Sequence, residues 1–339
     1  MLARRSAAMI EALAAVAPGR PLREGIDRIL QASMGALIVV GDDPSVLSIC
    51  SGGFLVDAEF TPQRLSELAK MDGAIVLAPD ASRIARANVH LVPNPNVPTT
   101  ETGTRHRTAE RVARSIDVPV ISVSEDMSVI AVYRGDMKHP LEPIPRLLSR
   151  ANQALQTLER YKNRLDAVSS ALSTLEVEDL VTVRDVVTVL QRAEMVRRIA
   201  EEVDGYIVEL GTDGRLVIKD YFQETASWRL DQAMETLSEL DTEGLLDLKT
   251  VVEVLRLPGE TSELDTSVQP RGYRLLSKIP RLPDPVIDKI VARFGNLQKL
   301  MRAGIDDLDD VEGVGDVRAR AIKEGLSRLA ETSILDRYS

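Results

Sequence analysis

One cysteine, three histidines and few aromatic side chains stand among 339 residues. With Cys50 alone, no disulfide can close within the chain, and a reducing compartment fits. So few soft ligands nearly exclude a structural zinc site. Aromatic residues make up only 3%, so the cores must be built from Leu, Val, Ile and Ala. No apolar run approaches the roughly 20 residues of a membrane span. Glu11 interrupts the apolar N-terminal stretch and Pro18-Gly19-Arg20 ends it. An amphipathic helix is expected there rather than a signal peptide, and a cytoplasmic location follows as the expectation.

Basic charge is also short. There are 42 Lys and Arg against 52 Asp and Glu, a net charge of −10. That argues against a uniform nucleic-acid coat, but not against one local basic face. Residues 271–330 carry 12 basic and 9 acidic side chains, +3 within a chain of −10. The charge asymmetry points at the C-terminal stretch.

Chemistry concentrates in two short stretches. Thr104-Arg105-His106-Arg107-Thr108 packs two guanidiniums, an imidazole and two hydroxyls into five residues, after Gly103 and before a helical run from Ala109 to Ile116. Arg forks grip phosphate bidentately. Hydroxyls and backbone N–H groups at a helix start add anion donors. Asp72-Gly73-Ala74 sets one carboxylate and a glycine at the mouth of an apolar run, Ala74 to Leu77. A carboxylate beside a phosphate cradle suits Mg²⁺. Ser124-Glu125 ends a further strand and offers a hydroxyl and a second carboxylate. The first two stretches predict one nucleoside-triphosphate site, with His106 as a donor rather than a metal ligand; Ser124-Glu125 reads either as a phosphate or metal contact beside it or as an ordinary N-cap pair. His90 and His139 carry no signal.

Around these stretches the pattern alternates helix and strand. Helices are expected over Arg4 to Val16 and Leu22 to Ser33. Ala36 to Val40 and Val46 to Ile49, split by Gly41-Asp42-Asp43-Pro44, predict a hairpin. Thr61-Pro62 opens a helix. Strands are expected over Ala74 to Leu77, Val89 to Val92, Val118 to Val123 and Val129 to Tyr133. This is an α/β domain, a central mixed sheet flanked by helices, over residues 1–142. Past Pro140, Pro143 and Pro145, apolar residues recur at steps of 3 and 4 from Ile144 to Leu175, a helical seam. A helical spine is expected over 143–270, with a short strand pair at Ile207 to Leu210 and Leu216 to Ile218.

Residues 271–339 read as an all-α helix-hairpin-helix domain. Glu312-Gly313-Val314-Gly315-Asp316 joins two helices, with Arg318, Arg320 and Lys323 just behind. Glycines let the backbone approach a phosphate, and the next helix start points N–H groups at it. A degenerate first hairpin spans Ser277 to Pro283. Such pairs read the DNA backbone rather than its sequence.

The motifs DGA at 72–74 and GTRHRT at 103–108, with Ser124-Glu125 further on, resemble the diadenylate cyclase domain. With its C-terminal part, the whole chain resembles the DNA-integrity-scanning branch of that bacterial family. The resemblance implies condensation of two ATP into cyclic di-AMP across facing subunits of a homo-oligomer, an octamer in the family. It implies Mg²⁺, with Mn²⁺ as an alternative, bound by Asp72 and Glu125. It implies catalytic roles for Asp72 and Arg107. ATP contacts fall to Gly73, Leu91, Thr104, Arg105, His106, Arg107, Thr108 and Ser124. It also implies branched DNA such as Holliday junctions as partner, at the nucleoid. A nucleotide-sensing DNA-binding scaffold without cyclase activity is the rival reading, and a nucleotidyltransferase acting on DNA ends is another.

Overall fold

The computed structural model describes residues 6–125, 129–211, 231–255 and 264–338, the last seven and residues 231–232 by backbone alone. Two compact units form: residues 1–153 with 203–218, and residues 154–202 with 219–339.

The first unit runs α1 (Ala7–Ala15), α2 (Pro21–Gln31), β1 (Ala36–Val40), α3 (Pro44–Ser48), β2 (Cys50–Ser51), β3 (Phe54–Glu59), α4 (Pro62–Leu68), β4 (Ala74–Leu77), β5 (Arg83–Leu91), α5 (Thr104–Ile116), β6 (Val120–Ser124), β7 (Val129–Arg134) and β8 (Met137–Pro140). The strands form one sheet in the order β2-β5-β4-β1-β6-β7-β8, with β3 also on β5. β1 and β4 are parallel and the other pairs antiparallel, so the sheet is mixed.

All five residues of β1 are buried, because both faces of the sheet are covered. Ile38 joins Met9, Ile26 and Leu65 of the helices on one face. Leu37 and Val39 join Ala109, Val112 and Ala113 of α5 on the other. The spacing of those α5 residues is the apolar stripe of a surface helix. Each fully buried Val, Leu or Ile contributes about 1.5–3 kcal/mol. Asp117, in a left-handed conformation at φ 55°, ends α5 and turns the chain into β6.

Three expectations are corrected. Val46 to Ile49 is not a hairpin strand: residues 44–48 form α3, with Pro44 at its first position, where a fixed φ and a missing N–H cost nothing. Both edges of β1 are already taken by β4 and β6. Ile207 to Leu210 is the last turn of a helix, ended by Gly211 at φ 84°; its buried residues Val203 and Tyr206 lie three apart. Leu216 to Ile218 lies outside the described residues. Finally, the arginine motif does not precede a helix but forms its first turn, since α5 begins at Thr104.

The second unit takes most of α6 (Ile144–Glu178) and α7 (Val183–Leu210), then α8 (Asp231–Ser238), α9 (Thr242–Leu246), α10 (Leu248–Leu255), α11 (Tyr273–Ser277), α12 (Asp284–Phe294), α13 (Leu297–Arg302), α14 (Ile305–Asp309) and α15 (Asp316–Tyr338). α6 has 35 residues, about 52 Å at 1.5 Å each. Along it Ala151, Leu158, Leu165 and Leu172 are buried, the expected seam. Leu275, Ile287, Ile290, Leu308, Val314, Ile322 and Leu326 share one core, which packs α11 to α15 together. Among the described residues, no helix is long and apolar enough to cross a membrane.

Candidate active site

Strand register gathers the predicted residues at one end of the sheet. Leu37 pairs with Ala74, so Asp72 and Gly73 arrive beside the start of β1. Ala36 pairs with Val123, which brings Ser124 to the same end. β5 runs antiparallel to β4 with Val89 opposite Ala74, so Leu91 also ends there. Continuing the β1–β6 register one residue sets Gly35 opposite Ser124, while Asp72 lies two residues before Ala74 on the β4 side of β1. The guanidinium of Arg105 covers Gly35: a Cβ added there would lie 2.1 Å from Nη1. Thus the first turn of α5 sits over the same edge.

Gly73 is required by the fold itself. Its φ is +101°, and an added Cβ would lie 2.8 Å from the backbone carbon of Asn88. Asn88 is itself left-handed at φ 54°, where the β4–β5 register slips. Leu91 is buried in the α5-side core, so only its backbone can serve a ligand. Asp72 and Glu125 are exposed.

The arginine motif is held from outside the helix. Gly103, the N-cap, offers no side chain to the first-turn N–H groups, which leaves them for an anion. Arg107 donates from Nε to the carbonyl of Glu101 and from Nη2 to that of Thr102, each at 3.1 Å. Thr108 Oγ1 donates to the Thr104 carbonyl at 3.0 Å. His106 Nδ1 is 2.9 Å from the Tyr133 hydroxyl. That hydroxyl donates to Glu101 Oε1 at 3.2 Å, and Lys138 Nζ donates to the same oxygen at 2.6 Å. Burial pushes the His106 imidazole below its ordinary value. Burial, then Glu101, pushes the Tyr133 phenol up, so it keeps its proton. The loop before the helix is tied by Glu110, which accepts from Thr99 Oγ1 and the Thr100 N–H. Burial raises that carboxyl, yet these bonds and Arg114 bring it net below the usual range. Glu101, Glu110, Tyr133 and Lys138 escaped the sequence reading. They lie far apart in the chain and match no phosphate motif.

No group of three or more His, Cys, Asp or Glu among the described residues could hold a metal alone. Exposed carboxylates at Asp72 and Glu125 fit Mg²⁺, which takes one or two carboxylates and leaves the rest to phosphate and water.

In the second unit, α14 and α15 flank the turn at 310–315. Gly313 has φ 92° and Gly315 φ 49°. Val314 is fully buried, so it serves the core and offers only its backbone outward. Arg318 Nη1 donates to the Gly313 carbonyl at 2.6 Å and closes the turn. Arg320 pairs with Asp316. Lys323 Nζ bonds the carbonyls of Met301 and Ala303, so it closes the end of α13 instead. The first hairpin, between α11 and α12, carries Arg281 at φ 63°.

Residues 23–137 match the family described as DisA bacterial checkpoint controller nucleotide-binding, and residues 141–218 match the DisA bacterial checkpoint controller linker region. The chain is 55% identical over 347 residues to a DNA integrity scanning protein DisA of Frankia alni, with 96% of each chain covered. It is 54% identical over 351 residues to that of Streptomyces avermitilis, covering 97% of this chain and 94% of the relative. The chain belongs to the DNA integrity scanning protein DisA family and is a diadenylate cyclase, a nucleotidyltransferase.

Proposed function

We propose that the first unit condenses two ATP into cyclic di-AMP and two pyrophosphates across a face-to-face pair of subunits, and that the C-terminal helices tie this synthesis to DNA structure. The convergence of Asp72, Ser124 and the Arg105 guanidinium at the head of β1 carries the reading. Each ATP must present its 3′-hydroxyl to the α-phosphate of the other, in line with the departing pyrophosphate. One site with one ATP cannot do this, so two sites must face each other, most simply about a two-fold axis. The octamer implied by the family satisfies that need.

Positioning and charge neutralisation do most of the work in such transfers. The first turn of α5 grips the triphosphate through its open N–H groups, Thr104 and Thr108, with Arg105 and Arg107 neutralising charge. Leu91 offers its backbone to adenine. Asp72, with Glu125, would hold Mg²⁺, which supplies charge neutralisation on phosphate and helps activate the 3′-hydroxyl. The division into residues 1–142, 143–270 and 271–339 then separates cyclase, helical spine and DNA reader. The hairpin at Gly313 to Gly315 would meet the phosphate backbone of branched DNA such as a Holliday junction, in the cytoplasm at the nucleoid.

Incubation with ATP and Mg²⁺, with and without junction DNA, followed by chromatography tests this. Cyclic di-AMP is expected without DNA. No product leaves the nucleotide-sensing scaffold, and product only with DNA ends favours the end-modifying transferase.

A further inference from the structure

We propose that His106 is a proton-linked phosphate clamp: it takes up a proton at Nε2 as ATP binds, because Tyr133 and Glu101 hold its other nitrogen as a donor. The proposal rests on the reading that the first turn of α5 grips the triphosphate.

The count of available hydrogens fixes the tautomer. The Glu101 carboxylate can only accept, and it receives Lys138 and the Tyr133 hydroxyl. Tyr133 has one proton, and the charged acceptor takes it. Its oxygen is then an acceptor toward His106 Nδ1 at 2.9 Å, so Nδ1 carries the hydrogen. A neutral imidazole has one N–H. Nε2 is left with a lone pair, and among the described residues it has no hydrogen-bond partner. Phosphate oxygens also only accept. A neutral His106 in this tautomer would therefore set one lone pair against another.

Charge decides how the conflict resolves. Before ATP arrives, burial disfavours the imidazolium, and Lys138 and Arg105 oppose it, while Glu101 favours it. The ring is neutral at pH 7. A triphosphate beside the first turn adds several negative charges, which favour the protonated ring. Nε2–H then donates to phosphate while Nδ1–H stays on Tyr133. Between the free and bound titration points, affinity for ATP falls about tenfold per pH unit as pH rises. Tyr133 and Glu101 are positioning residues in this scheme.

The test is calorimetry of the full chain with 3′-deoxyATP and Mg²⁺, an analogue that cannot cyclise. Titrations at pH 7.5 in buffers of different ionisation enthalpy give the proton count. The wild type should take up about one proton more than His106→Gln, a difference that removes the analogue's own titration. Tyr133→Phe frees the tautomer, so a neutral ring can offer Nε2–H. Binding should persist within several-fold while uptake falls to near zero, which a merely structural tyrosine would not produce. A wild type that binds with no more uptake than His106→Gln from pH 6.5 to 8.5 overturns the proposal, whatever the variants do. So does a folded Tyr133→Phe with unchanged uptake. If the analogue does not bind, or binds regardless of Arg107→Ala, the ATP-site reading falls and takes the proposal with it.

Discussion

The guanidinium of Arg105 fills the space that a side chain at Gly35 would need, with Nη1 2.1 Å from where the Cβ would stand. The first turn of α5 thereby sets this guanidinium over the head of β1, beside the strand end that carries Ser124. Gly35→Ala should leave stability almost unchanged, because what it displaces is the far end of a flexible side chain. The displaced guanidinium should raise KM for ATP about tenfold, the size of one charge-assisted hydrogen bond. A thermal melt and a KM measurement check this together; an unchanged KM would remove Arg105 from the phosphate grip.

Gly73→Ala should behave in the opposite way. Its φ of +101° strains any side chain, and the new Cβ meets backbone, 2.8 Å from the Asn88 carbon. Backbone cannot step aside as a side chain can. A loss of at least about 1–3 kcal/mol is expected, together with loss of activity as β4 and β5 part. Denaturant melts of the two glycine variants should rank Gly73→Ala well below Gly35→Ala.

How far the sequence was readable follows from range. Asp72-Gly73 and the arginine motif stood out because their chemistry is local, and the long seam of α6 because its period is sustained. Thr61 caps α4 as its position predicts, accepting from the Arg64 N–H. Val46 to Ile49 misled because strand and helix look alike over so short a run, three apolar residues and Ser48, and only the filled edges of β1 decide. β3 and β8 were missed, the latter because Pro140 reads as a boundary although it closes an edge strand against β7. The Glu101–Tyr133–His106 chain spans 32 residues and no spacing rule reports it.

Asp72→Asn should leave folding intact, since the side chain is exposed, and abolish cyclic di-AMP formation. Losing a metal-binding charge costs orders of magnitude in rate. The melt should match wild type while product falls below detection by chromatography. Near-normal turnover would sink the metal assignment.

Arg107→Lys should rescue poorly. Two nitrogens of the guanidinium hold the carbonyls of Glu101 and Thr102, and a lysine brings charge without the planar fork. The loop before α5 should loosen and kcat/KM fall at least about tenfold. Full activity in the lysine variant would show that a point charge suffices.

The DNA reading is best tested at Gly315. Deleting the C-terminal helices would also strip α6, because Arg274 lies buried against Glu176, Ser173 and the Ser169 carbonyl, so a point change is cleaner. Gly315 has φ 49°, and an added Cβ would meet nothing within 4 Å. Asn adopts that left-handed backbone more readily than other side chains. Gly315→Asn should therefore fold, yet its side chain would project from the turn and hold a phosphate off the backbone. Wild-type affinity for junction DNA should fall steeply with salt and depend little on sequence. The variant should lose about tenfold or more at every salt concentration while cyclase activity without DNA stays normal. Fluorescence anisotropy across a salt series, beside a cyclase assay with and without the junction, reads both. If Gly315→Asn bound the junction as wild type does, the hairpin would not be the contact, and Arg281 in the first hairpin would become the next position to substitute.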